Sequence, residues 1–255
     1  MSDLSDFEGR IALVTGAASG IGAACAKALA ARGATKLFLN DVNADGIAAL
    51  DLDCEVVPVI GSVADEAMWD ALQPQLEGLD HVVVNAGIGG FGAVADLEFA
   101  EWRRVMDINL DGAFLTLRAG LRAIKANGKA GGSAVITASS TGVKAVPMIG
   151  PYGPAKAAVA HMARIAAMEN ASHGIRVNAI APGGVDTAIW DSSPEFADAV
   201  TKHGREATLK AMAAPIPSGR FASSEEVAET ILYLLSDAAA NITGHVLVSD
   251  GGYTL

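Results

Sequence analysis

The sequence predicts an α/β fold: a doubly wound, three-layer α/β/α arrangement in which helices cover both faces of a seven-stranded parallel sheet. Three observations carry that prediction. Seven short β-branched or apolar runs recur along the 255 residues, alanine-rich stretches with helical spacing separate them, and glycines cluster at the first strand-to-helix junction. Strand and helix in strict alternation is what a parallel sheet with crossover helices requires.

The first run, Ile11 to Val14, lacks polar alternation, as a strand covered on both faces does, and Ala23 to Arg32 after it has helical spacing. Leu37 to Leu39, Val56 to Ile60 and His81 to Val84 repeat the strand pattern. Trp102 to Ala126 reads as one long helix ahead of the strand Ala134 to Thr137. Ala155 to Asn170, the strand Val177 to Ile180, the helix Ser224 to Leu235 and the strand Val246 to Val248 complete the order. Between Thr187 and about Arg220 the pattern lapses around Pro194, Pro215 and Pro217, in a stretch long enough to act as a lid. No linker, repeat or low-complexity tract divides the chain, so residues 1–255 are expected to form one domain with an integral substrate loop at about 187–220.

The bulk numbers exclude other classes. With 51% hydrophobic and 18% charged residues the chain can bury a large core, and a formal net charge of −11 repels nucleic acid and anionic membranes. Cys25 and Cys54 form no CxxC pair and no zinc-like cluster, and read as reduced, packed thiols. The residues Met1 to Asp6 carry acid where a secretory signal carries base, and no apolar run reaches the ~18 residues of a membrane span. A cytoplasmic protein is the expectation.

Thr15-Gly16-Ala17-Ala18-Ser19-Gly20-Ile21-Gly22 follows the first strand and opens the first helix, the context that a Rossmann-type dinucleotide turn requires. Glycines let backbone N–H groups and the positive helix end approach a pyrophosphate. Asp41, 19 residues beyond Gly22 at the end of the second strand, can accept hydrogen bonds from ribose hydroxyls. It predicts NAD, because a 2′-phosphate would meet a like charge and neither Ser19 nor Val42 supplies a cation. The competing reading of Asp41 is a helix cap, a task that Asn43 or Asp45 can also perform.

Tyr152-Gly153-Pro154-Ala155-Lys156 places a phenol and an ammonium four residues apart on one helix face, with Pro154 tolerated in the first turn. A neighbouring ammonium and an oxidised nicotinamide both favour the phenolate, so Tyr152 is expected to titrate below its ordinary value and shuttle a proton. Ser139, 13 residues earlier, ends a strand at the carboxyl edge of the sheet, where its hydroxyl can hold a substrate oxygen. Ser140 competes for that role.

On these motifs the chain resembles the short-chain dehydrogenase/reductase family over nearly its whole length. Thr15 to Gly22 matches the family's TGxxxGxG, Tyr152 to Lys156 its YxxxK, and Ser139 with Gly142 its serine region. Asn109, in Asp107-Ile108-Asn109-Leu110, falls where the family keeps a helix asparagine. The resemblance implies that Tyr152 is the acid/base, that Lys156 lowers its pKa and binds nicotinamide ribose, that Ser139 orients substrate, and that Asn109 holds a relay water. It further implies cofactor contacts at Gly16, Ser19, Gly20, Ile21, Gly22, Asp41, Ser62, Val63, Asn85, Ala86, Gly87, Tyr152, Lys156, Pro182, Gly183, Val185 and Thr187. Asp250-Gly251-Gly252 resembles the family's C-terminal signature. Two positions depart: Val84 replaces the first asparagine of NNAG, and Ser62-Val63 stands where many relatives have an Asp-Val pair near the adenine.

The same resemblance implies a substrate pocket from Ser139, Thr141, Met148, Ile149, Gly183, Gly184, Trp190 and Phe196, with Ile88 to Phe91 opposite. That inventory is mostly apolar and points to an uncharged cyclic or aromatic secondary alcohol or ketone. His161 and His173 read as structural, and the apolar Ala157 to Met168 stretch as a packing face that pairs subunits in a homotetramer or homodimer. The alternatives are an NADPH-linked 3-ketoacyl carrier reductase of the same fold and a non-catalytic NAD-binding module. Asp41 and Ser19 speak against the first, and the intact Ser139, Tyr152, Lys156 and Asn109 set against the second.

Overall fold

The computed structural model describes residues 6–128 and 131–255; Met1 to Ser5, part of the N-terminal segment considered above, lie outside the described residues. Seven strands, β1 (Ile11–Thr15), β2 (Lys36–Asp41), β3 (Glu55–Ile60), β4 (His81–Val84), β5 (Gly132–Thr137), β6 (Ile175–Pro182) and β7 (Val246–Ser249), form one parallel sheet in the order β3-β2-β1-β4-β5-β6-β7. Among the described residues nine α-helices interleave with these seven strands: α1 (Gly20–Ala31), α2 (Ala44–Ala48), α3 (Glu66–Leu72), α4 (Phe99–Met106), α5 (Gly112–Ala126), α6 (Tyr152–Asn170), α7 (Pro194–His203), α8 (Arg205–Ala213) and α9 (Ser224–Leu235). The doubly wound α/β/α sandwich is therefore as the sequence pattern requires.

Successive strand residues feed opposite layers. Leu13, Phe38, Val82, Val84, Ala134 and Ile136 pack under α3, α5 and α6, while Val14, Leu37, Leu39, Val83, Val135 and Ile180 pack under α1 and α9. Burial on both faces is why the central strands read as continuous apolar runs. The edge strands β3 and β7 are only partly covered. In β3 that freedom admits Pro58, which a central strand would exclude. The boundary of α9 follows from a capping box: Ser223 Oγ accepts from Glu226 N–H at 3.2 Å, and Glu226 Oε2 accepts from Ser223 N–H at 2.8 Å.

Two elements differ from the sequence reading. Trp102 to Ala126 is not one helix: a π-helical turn, Asp107–Asp111, separates α4 from α5. The segment after Thr187 is not irregular either, since a 3₁₀ turn at Ala188–Ser192 leads into α7 and α8. Ser193 caps α7, its Oγ accepting from Phe196 N–H at 3.2 Å, with Pro194 at the first helical position.

Neither cysteine is bridged; Cys25 is fully buried, and burial pushes its thiol upward. Among the described residues no helix is long and apolar enough to cross a membrane.

His81 makes the fold acid-sensitive. Its Nδ1 lies 2.9 Å from Ser133 Oγ, and that hydroxyl donates its one hydrogen to Leu235 O at 2.8 Å, so Nδ1 carries the proton of a neutral imidazole. Burial pushes the ring down to about 4, with Asp80, Arg10, Arg176 and Asp237 adding smaller and opposed effects. A lowered basic pKa means the unfolded chain binds the extra proton first, so stability is lost as pH falls from about 6.5 to about 4, by about 3 kcal/mol in all. Urea unfolding should show a weaker loss over that window in His81→Gln than in the parent; identical pH dependence would remove His81 as the cause.

Candidate active site

The sheet order reverses between β1 and β4, and at the carboxyl ends of these strands and of β5 and β6 lies a cavity of about 730 Å³. Its lining divides into a glycine-rich half and an apolar half joined at Tyr152.

The glycine half is shaped for close approach. Gly16 and Gly20 have φ of +66° and +53°, and a Cβ on Gly22 would lie 2.0 Å from the Gly16 carbonyl oxygen. A Cβ on Gly16 would come within 3.0 Å of Ala86 Cα. The first turn of α1 contains no acidic residue, and Ser19, its N-cap, makes no side-chain cap bond, which leaves the positive helix end to an anion. Asp41 stands at the end of β2 with Oδ2 accepting from Ala18 N–H and Oδ1 from Asn43 N–H, both at 3.0 Å. It is not the cap of α2, a task that Asn43 performs through Gly46 N–H. A carboxylate so fixed keeps further lone pairs for a vicinal diol. Phosphate-sized turn, helix end and diol acceptor together fit a dinucleotide.

Gly16, Ser19, Gly20, Ile21, Asp41, Asn85, Ala86, Gly87, Pro182, Gly183, Val185 and Thr187 all line the cavity. Three predicted cofactor residues do not. Gly22 acts from beneath, as the absent side chain under Gly16. Ser62 spends its hydroxyl on Ala64 N–H at 3.2 Å, and Val63 is buried against Gly112 with its carbonyl accepting from Trp69 Nε1.

The residues expected to handle the proton meet at the first turn of α6. Ser139 Oγ accepts from Thr141 N–H at 3.2 Å and from Thr141 Oγ1 at 2.9 Å, which leaves its own O–H free on the side of the Tyr152 phenol. Ser140 also lines the cavity but is not among the groups that shift the Tyr152 phenol. Lys156, buried, donates from Nζ to Thr137 O at 2.9 Å and sits 5.6 Å from the Tyr152 ring centroid. Burial pushes Tyr152 up to about 12, with the Ser139 hydroxyl pulling downward, and pushes Lys156 down to about 8. The expected downward shift of Tyr152 by Lys156 is absent: burial dominates, and the lysine is not among the causes of the shift. Asn109 brackets one residue of the backbone, accepting from Ile88 N–H at 3.1 Å and donating to Ile88 O at 2.9 Å. Its amide pins the loop after β4, and the π turn carries it there. Gly87 separates it from Lys156: a Cβ there would lie 2.6 Å from Asn109 Oδ1 and 3.3 Å from Lys156 Nζ.

In the apolar half, Thr141, Ile149, Gly183, Gly184, Trp190 and Ile88 to Phe91 line the cavity as expected. Met148 does not: with φ +67° its backbone is left-handed and its side chain is turned into solvent, 56% exposed. Phe196 is buried behind Trp190, with ring centroids 6.2 Å apart. Val146, Met212, Ile216, Phe221 and Tyr253 complete the wall, and sequence reasoning missed them. They come from the loop before α6 (Val146), from α8 (Met212), from the connection between α8 and α9 (Ile216, Phe221) and from the C-terminal tail (Tyr253), none of which carries a motif that marks them.

Comparison with known proteins agrees with this geometry. The family model described as Enoyl-(Acyl carrier protein) reductase matches residues 16–254. Cis-4-hydroxycyclohexanecarboxylate dehydrogenase of Sinomonas cyclohexanicum is 42% identical over 97% of this chain and 98% of its own length. The 2,5-dichloro-2,5-cyclohexadiene-1,4-diol dehydrogenase of Sphingobium indicum is 38% identical over 98% and 99% of the two chains. A solved short-chain type dehydrogenase/reductase from Mycobacterium marinum superimposes with a TM-score of 0.86 at 33% identity, covering 99% of this chain and 98% of its own. Matching over full length by sequence and by fold, with the serine, tyrosine and lysine gathered at one edge of the sheet, the chain belongs to the short-chain dehydrogenase/reductase family of oxidoreductases.

Proposed function

We propose that the chain is an NAD-dependent dehydrogenase that interconverts a six-membered-ring secondary alcohol and its ketone, with Tyr152 as acid/base. One observation carries the reading: the Tyr152 phenol, sharing the cavity wall with Ser139 and backed by a buried Lys156, stands where the glycine-rich and apolar halves of the cavity meet. When bound, the nicotinamide supplies hydride exchange with the carbinol carbon. The chain's residues then account for the proton and the geometry. Tyr152 Oη takes the alcohol proton in oxidation and returns it in reduction. The Ser139 O–H, not taken up by Thr141, donates to the substrate oxygen and fixes its direction. Lys156, reaching the cavity from behind Tyr152, holds the nicotinamide ribose and adds positive potential where the phenolate forms. Trp190, Phe221, Ile149 and Ile216 exclude water and favour an alicyclic ring. The ring alcohols in the names of the two relatives support this substrate class.

We also read the 255 residues as one domain carrying its own substrate segment, at work in the cytoplasm. A homotetramer fits the exposed Phe114, Ile165 and Met168 side chains on α5 and α6.

The cofactor assignment rests on Asp41. A 2′-phosphate beside that carboxylate costs several kcal/mol, so kcat/KM with NAD should exceed that with NADP by roughly 100-fold or more. Absorbance at the reduced-nicotinamide band, with a panel of cyclohexanols and both cofactors, measures it. In Asp41→Ser the ratio should fall by at least about tenfold. Equal use of NADP by the parent would reverse the assignment, and absence of turnover with every ring alcohol would reject the substrate class.

A further inference from the structure

We propose that Arg205 is a positioning residue, a latch that closes the segment 188–203 over the cavity and sets Trp190 against the substrate ring. The inference rests on the reading of this site as one for ring alcohols.

Arg205 opens α8 directly after Gly204, whose φ of +80° and ψ of 157° belong to a backbone region used almost only by glycine. From there its guanidinium reaches back to the root of the segment. Nε and Nη2 donate to Asp186 Oδ1 at 3.1 and 2.7 Å, Nη1 to Asp191 Oδ1 at 2.7 Å, and Nη2 to the Thr187 carbonyl at 3.1 Å. A single ion pair at this degree of exposure would contribute little. Here one planar group ties both ends of a single excursion, and without it Asp186 and Asp191 would face each other uncompensated.

The latch also connects to the cavity. The guanidinium lies 5.2 Å from the Phe196 ring centroid, Phe196 packs 6.2 Å from Trp190, and Trp190 stacks on Phe221 at 5.6 Å and 19°. Only the last two line the cavity; Arg205 and Phe196 stand behind them. Trp190 is further held by its Nε1 donating to Val185 O at 2.8 Å, and Phe221 occupies the space that a side chain on Gly184 would need. Arg205 therefore indexes an aromatic wall that it does not itself form.

Arg205→Ala and Arg205→Lys, compared with the parent by amide hydrogen exchange and steady-state kinetics, test the latch. In Arg205→Ala, exchange across 188–203 should quicken about tenfold while β1 and α1 stay unchanged. The KM for cyclohexanol should rise about tenfold, with kcat and the KM for 2-propanol each within about threefold of the parent. Arg205→Lys should fall between, since one ammonium serves one aspartate at a time, and Asp186→Asn/Asp191→Asn should reproduce Arg205→Ala without adding to it. Unchanged exchange, or faster exchange with an intact ratio of ring to acyclic KM, overturns the proposal. If the parent oxidises no ring alcohol the substrate reading falls by itself, and the exchange arm alone decides the latch.

Discussion

Tyr152→Phe is expected to abolish alcohol oxidation, lowering kcat by about 10³-fold or more while the Kd for NAD stays within about threefold of the parent. The substitution removes one oxygen and keeps the ring that Lys156 faces at 5.6 Å, so the cavity wall and α6 are preserved. What is lost is the phenolic O–H, the group proposed to exchange a proton with the substrate oxygen. Burial holds the phenol at about 12, so near neutral pH the resting group is protonated, ready to donate in ketone reduction. Oxidation needs the phenolate and must accordingly accelerate as pH rises toward the tyrosine's value in the loaded site, while reduction slows. A pH profile of kcat in both directions, run with isothermal titration of NAD into parent and variant, reads both claims. Turnover within tenfold of the parent would sink Tyr152 as acid/base, and a matching loss of NAD binding would make it a structural residue.

The sheet and the glycine turn were legible because each is a local pattern with one physical meaning. Continuous apolar runs signal strands covered on both faces, and Gly16 and Gly22 cannot carry a Cβ where the chain crosses itself. The chemistry of the phenol was less legible. Motif spacing brings Tyr152 and Lys156 together, but the balance between their attraction and their desolvation depends on how deeply α6 is sunk, which no spacing encodes. The π turn at Asp107–Asp111 was hidden for another reason: one extra residue per turn leaves the helical periodicity on both sides intact. In the substrate segment the cue was present and outweighed. Ser193-Pro194-Glu195 is a helix start and Gly204 a stop, yet the proline density of the wider stretch read as irregular.

Lys156→Met is expected to make the protein more stable and nearly inactive. The lysine is buried with one hydrogen bond, to Thr137 O, and no carboxylate among the causes of its shift; burial alone pushes it down to about 8. Holding an ammonium there at pH 7 costs about 3 kcal/mol relative to the unfolded chain, of which the variant recovers all but the roughly 1 kcal/mol of the lost hydrogen bond. A base with a lowered pKa costs the folded state most below that value, and the cost fades as pH rises from about 8 to the ordinary 10.5. The variant should thus be about 2 kcal/mol more stable than the parent at pH 7 and, with the charge cost gone and the hydrogen bond still missing, up to about 1 kcal/mol less stable at pH 10.5, as denaturant unfolding at the two values would show. Activity should move oppositely, by about 10³-fold, because Met carries neither the charge that favours the phenolate nor the donors that hold a ribose. On the proposed function, a protein that tolerates this cost keeps the cation for chemistry. A Met variant less stable than the parent at pH 7 would show instead that Lys156 is held for the fold.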